Sequence, residues 1–105
     1  MDEYVTVAQV KSEIAAVYYF NGLEAVKSGL PATHPEPTRA ETLKCMTICV
    51  IVLRNGFTVT GQSVCADPAN YNEQDGREYA YRKAEDKIWP YLGYELRTEL
   101  SKGEV

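Results

Sequence analysis

The sequence has little of what several functions require. Its apolar runs, such as Ile48 to Leu53, are far shorter than the roughly 20 residues a membrane-spanning helix needs. No basic segment followed by an apolar stretch opens it, so no secretory leader and no membrane association are expected, and the cytoplasm is the default compartment. Positive charge is scarce: 11 Lys and Arg against 15 Asp and Glu give a net charge of −4. A duplex nucleic-acid binder should carry a basic face, and none is visible. Histidine occurs once, at His34, and cysteine three times, at 45, 49 and 65, with no CxxC spacing. That excludes a disulfide framework and a zinc knuckle, and nothing local supports a Cys–His nucleophile pair. The cysteines read as small buried apolar residues in a reducing compartment. GxSxG, phosphate-loop, GxGxxG and HExxH motifs are all missing, so no enzyme, cofactor or metal is expected. Seven glycines and five prolines exclude a collagen-like or low-complexity chain.

What is present is ordinary globular material of 105 residues, 45% hydrophobic and 25% charged. That length makes one domain, which buries about two-thirds of its unfolded surface. Eight tyrosines against two phenylalanines favour aromatics with a polar tip.

Four segments divide the chain. In 1–29, Val7, Val10, Ile14 and Val17 recur at steps of three and four, which predicts a helix with Thr6 as N-cap or an earlier start at Asp2. It runs into Tyr18-Tyr19-Phe20 and breaks at Asn21-Gly22, with another turn possible from Leu23 to Lys27. Segment 30–42 is a Pro-rich connection, whose Thr38 and Glu41 have capping-box spacing for a short turn. Segment 43–66 is a β-hairpin. Leu43 to Leu53 suits a strand buried on both faces, and Phe57 to Cys65 pairs with it. Asn55-Gly56 between them predicts a type I′ turn. Alternation puts Phe57, Val59, Gly61, Ser63 and Cys65 on one face. Segment 67–100 is a loop, a helix capped by Asn72 and ended by Pro90, and a last short helix from Tyr94 to Leu100. The fold class is therefore α+β: N-terminal helix, antiparallel hairpin, C-terminal helices. A lone hairpin is marginal and its edges need cover, so a homo-oligomer is expected.

One constellation offers binding chemistry. Phe57 and Tyr71 provide ring faces for a base, and Asn70 and Asn72 provide paired donors and acceptors. Arg77 and Arg82 can hold phosphate, and Arg39 can close over the site from the Pro-rich connection. Each also has a plain structural use: Phe57 as a core residue, the asparagines as turn and cap residues, the arginines in surface ion pairs with Glu73, Glu78 or Asp86. Trp89 reads as a core anchor, and the carboxylates of 73–86 as a solvated face.

The stretch "NGFTVTG" (55–61), then Cys65-Ala-Asp-Pro-Ala-Asn-Tyr71, Gly76-Arg77, Ala80-Tyr81 and Ile88-Trp89-Pro90, resembles a family of small tailed-phage and prophage proteins. That family is in turn similar to phage anti-defence sponges, which counter Thoeris-type immunity by holding cyclic ADP-ribose isomers or cyclic oligonucleotides without cleaving them. The resemblance implies an oligomer in the bacterial host cytoplasm, with a small anionic nucleotide as ligand. An aromatic, an asparagine and arginines would line its pocket: Phe57, Asn70 or Asn72, and Arg39, Arg77 or Arg82. Two other readings stand beside it: a small early protein that binds and redirects a host protein, as a tyrosine-rich acidic surface suits, and an enzyme acting on nucleotides.

Overall fold

The computed structural model describes residues 4–29 and 37–103, the side chains of 37–39 excepted. Helix α1 (Val7–Ser12) is short, and Thr6 and Gln9 close a full capping box at its start. The chain then turns into strand β1 (Ile14–Asn21). The expected helix therefore stops two turns early. Ile14 and Val17 fit a helical step, but Ile14 to Phe20 is rich in β-branched and aromatic residues, and pairing with the hairpin satisfies its backbone. A bulge at Ala15 separates the Ile14–Leu53 and Ala16–Val52 pairs. Asn21 then caps α2 (Gly22–Ser28) by accepting from Leu23 and Glu24 N–H.

After a 3-10 stretch (Pro37–Cys45), strands β2 (Met46–Leu53) and β3 (Thr58–Val64) form the expected antiparallel hairpin. Its turn differs from the type I′ expectation. Gly56 N–H donates to Leu53 O at 2.9 Å, and Gly56 alone takes positive φ, at 89°. The loop therefore has three residues, a type I turn followed by a left-handed glycine. Asn55 stays at negative φ and spends its Oδ1 on the Phe57 N–H. The sheet order is β1-β2-β3, antiparallel throughout.

The sheet is covered on one face. Thr47, Cys49, Ile51 and Leu53 of β2 and Val59, Gly61 and Ser63 of β3 are buried there, beneath α3 (Glu73–Asp86). Ala80 and Ala84 are the helix's contact residues, fully buried and small. Gly61 completes the fit: a Cβ there would lie 2.3 Å from the Ala80 carbonyl oxygen and 2.4 Å from the Ala84 nitrogen. Helix and strand backbones thus touch directly, so the glycine is a packing requirement. Farther along, Ser63 Oγ donates to Gly76 O at 2.7 Å, satisfying a buried hydroxyl. Val10, Ile14, Val17, Ile88, Trp89 and Leu92 close the core from the sides. Lys11, on α1, reaches Glu85 on α3 at 2.9 Å.

The expectation that β2 is buried on both faces is half met. Its other face, Met46, Ile48, Val50 and Val52, is only partly covered. Pro90 also departs from expectation. Helix α3 ends at Asp86, and α4 (Ile88–Lys102) begins directly, with Pro90 in its first turn. A first-turn N–H has no helical acceptor, so proline costs nothing there. Helix α4 is therefore longer than the short Tyr94–Leu100 helix expected. Among the described residues no helix is long and apolar enough to cross a membrane.

Candidate functional site

The residues singled out above fall at opposite ends of the sheet. Strand β3 has seven residues, about 23 Å at ~3.3 Å each, and separates Phe57 from the Asn70–Asn72 loop. At the loop end, a 3-10 turn (Pro68–Asn70) forms because Asp67 accepts from Ala69 N–H at 3.0 Å and Pro68 presets its first residue. Asn70, Tyr71 and Asn72 line a hollow of about 190 Å³ with Ser63, Cys65 and Tyr79. Both asparagines are engaged. Asn70 Nδ2 donates to Asp67 Oδ2 at 3.1 Å, and Asn72 Oδ1 accepts from Asp75 N–H at 3.1 Å as the cap of α3. Among the described residues no arginine lines this hollow; Asp75 does.

Arg77 lies around the corner. It shares a crevice of about 30 Å³ with Tyr71 and Tyr19, its guanidinium is 5.6 Å from the Tyr19 ring centre, and it pairs with Glu73 at 2.7 Å. Burial first, and then the neighbouring Cys49, push the Tyr19 hydroxyl up, while Arg77 works the other way. Arg82 pairs with Glu78 one turn earlier, beside the exposed Tyr79. Both ion pairs are exposed, so they are weak and exchangeable. The side chain of Arg39 lies outside the described residues. Cys49 is buried against the helix, which raises its thiol pKa and keeps it protonated near neutral pH.

The other end carries a second, larger concavity. Phe57 meets Tyr91 edge-on, ring centres 5.0 Å apart. Together with Tyr94, Leu53 and Leu92 they wall a hollow of about 440 Å³ whose charged lining groups are Glu13, Glu95 and Glu99. The same three glutamates and Leu92 also border an adjoining hollow of about 210 Å³, floored by Val5 and Leu96. The two form one groove between α1, the hairpin turn and α4. Among the described residues no lysine or arginine lines it, although Lys102 reaches Glu99 at 3.0 Å from outside. Arg54 Nε donates to the Ser12 carbonyl, and Arg54 N–H donates to Glu13 O at 2.9 Å, so the hairpin turn is fixed to the end of α1.

Phe57 is thus a ring platform, set among carboxylates and apart from Arg77 and Arg82. Tyr91, Tyr94, Glu95 and Glu99 were missed in the sequence. Their spacing of three and four places them along one side of α4, a signal hidden when Pro90 is read as a helix end. A third opening, along the outer edge of β3, is lined by Thr60, Gln62, Lys83, Asp86 and Lys87 and has no ring.

No curated protein and no solved structure matches this chain. A family model does, over residues 5–100, from the start of α1 almost to the end of α4. That span takes in the hairpin, the Gly61 contact, the asparagine caps and the groove alike. The chain belongs to the Phage protein (N4 Gp49/phage Sf6 gene 66) family.

Proposed function

We propose that this phage protein is a binding module that captures a host protein, without chemical turnover, by seating a cationic segment in the groove beside α4. One observation supports this reading: an apolar floor and three ring side chains are combined there with carboxylates as the only charged lining groups among the described residues. Each part suits a lysine- or arginine-bearing segment. Ring faces attract the cation. Leu53, Leu92 and Leu96 pack against methylene stems. Glu13, Glu95 and Glu99 give charge-assisted hydrogen bonds. The net charge of −4 speeds the approach of a basic partner. The bacterial cytoplasm is where such a partner would be met.

A second reading is sequestration of a nucleotide immune messenger, a cyclic ADP-ribose isomer or a cyclic oligonucleotide. The corner where Arg77 lies over the Tyr19 ring beside Tyr71 favours it, since rings and a guanidinium are what a base and a phosphate need. Glu73 already occupies that guanidinium. A nucleotide must displace it.

The test is fluorescence anisotropy with a labelled peptide alternating arginine and leucine, and with its glutamate counterpart. The arginine peptide binds, the glutamate peptide does not, and the Glu95→Gln/Glu99→Gln variant binds at least tenfold more weakly. A Glu73→Gln/Glu78→Gln control, with the same charge change on α3, binds as the parent does. Equal losses in both variants would reduce the effect to net charge and overturn the reading. Thermal unfolding with a panel of cyclic nucleotides tests the second reading. A clear stabilisation by one of them, lost in Arg77→Ala, would replace the first.

A further inference from the structure

Two of the three cysteines face each other at the loop end of the sheet. Met46 pairs with Val64, and the ladder runs one step further: Cys65 N–H donates to Cys45 O at 3.2 Å. Alternation sets both residues on the α3 side, in line with Thr47 and Cys49 on one strand and Gly61 and Ser63 on the other. Both are free thiols, and both border the hollow of about 190 Å³ beside the Asn70–Asn72 loop. We propose that Cys45 and Cys65 form a dithiol site that reacts with a small disulfide oxidant and closes as a cross-strand disulfide.

Three observations carry the inference. First, the spacing fits. Opposed residues that share a ladder hydrogen bond have Cα atoms about 5.5 Å apart, and a disulfide spans roughly 4.4–6.8 Å. Second, the register selects one of the three possible pairings. Cys49 stands four residues from Cys45, and its cross-strand partner Gly61 stands four from Cys65. Either gap is about 13 Å at ~3.3 Å per residue, too far to bridge without moving the backbone. Third, access divides the pair into two roles. Cys45 is buried, whereas Cys65 is partly exposed at the hollow. Cys65 Sγ donates to Asp67 O at 3.1 Å, which holds the thiol at the start of the loop.

The accessible thiol reacts first. Cys65 gives its proton to water, and its sulfur attacks one sulfur of the oxidant. A mixed disulfide forms, and one thiolate leaves and takes up a proton. Cys45 then loses its proton and attacks Cys65 Sγ, which forms the internal S–S bond and expels the second thiolate. The two protein sulfurs are oxidised, the two oxidant sulfurs are reduced, and two protons pass to the released thiols. The bond closes a loop of about 20 residues, the hairpin itself. It fastens the end of the 3-10 stretch Pro37–Cys45 to the strand that leads into the Asn70–Asn72 loop. The groove beside α4 lies at the other end of the sheet, so the inference stands whatever the groove binds.

Oxidised glutathione, added to the full reduced chain, tests it by intact mass and peptide mapping. The parent loses the mass of two hydrogens, the Cys45 and Cys65 peptides join, and Cys49 is alkylated after unfolding. Cys45→Ala stops at one glutathione on Cys65. Cys65→Ala, at a partly exposed position, keeps the parent melting profile, forms no internal disulfide and takes up glutathione at least tenfold more slowly. A parent that keeps glutathione on Cys65, or that does not react at all, would overturn the inference. So would a bridge that includes Cys49, or one that joins two chains in place of the internal bond.

Discussion

The two ends of the sheet hold similar kinds of side chain and use them in opposite ways. At the loop end, asparagine and aspartate turn back on the chain: Asp67 holds the 3-10 turn and Asn70, and Asn72 caps α3. At the α4 end, Phe57, Tyr91 and Tyr94 stay exposed around a cavity bordered by Glu13, Glu95 and Glu99. A polar group beside a hollow serves a ligand only where the backbone has no prior claim on it. Turn and cap residues carry that claim by geometry. Side chains on the outward side of an intact helix do not.

Four substitutions or conditions break or sharpen this contrast. Gly61→Val has the largest effect. The added atoms would overlap the α3 backbone, lowering stability by about 3 kcal/mol and the melting temperature by more than roughly 10 °C. Both ends fail together in that variant, because α3 ties them to one sheet; differential scanning calorimetry reads the loss. Tyr94→Ala with Glu95→Gln comes next. It weakens cationic-peptide binding at least tenfold, about 1.4 kcal/mol, at an unchanged melting temperature, since both side chains are exposed. Asn72→Ala reverses that pattern. Loss of the cap costs about 1 kcal/mol and a few degrees, and leaves peptide affinity alone.

The pH response is the smallest effect. Burial works to raise the Glu85 pKa, but hydrogen bonds from Tyr81 and Lys11 outweigh it and hold the carboxyl below its usual value of 4.5. A depressed carboxylate contributes stability above its unfolded pKa and loses it as pH falls through the folded one. Melting temperatures therefore drop below about pH 4.5 in the parent, and less steeply in Glu85→Gln.

Much of the fold was legible because local chemistry and tertiary packing agreed. Alternation in Phe57 to Cys65 placed Val59, Gly61 and Ser63 on the covered face, and the caps at Thr6 and Asn72 stand where their side chains imply. Two readings failed where a local rule admits two outcomes. The steps Val10–Ile14–Val17 fit a helix, yet the free edge of β2 recruits Ile14 to Asn21 as a strand, a tertiary preference that no window along the chain contains. Proline ends a helix or opens one, and Pro90 opens α4. That single reversal concealed the groove, since Tyr91 joins Glu95 and Glu99 on one side only when the helix runs on unbroken from Ile88. The loop asparagines were legible as caps and as ligand readers alike, and only the hydrogen bonds separate the two uses.

The most direct test is an amide chemical-shift map of the labelled protein, titrated in parallel with the arginine–leucine peptide and with cyclic ADP-ribose isomers. The account predicts peptide-induced shifts at Phe57 and along Tyr91 to Glu99, and none from the nucleotides. Saturable nucleotide shifts at Tyr71 to Arg77, with α4 silent towards the peptide, would contradict it.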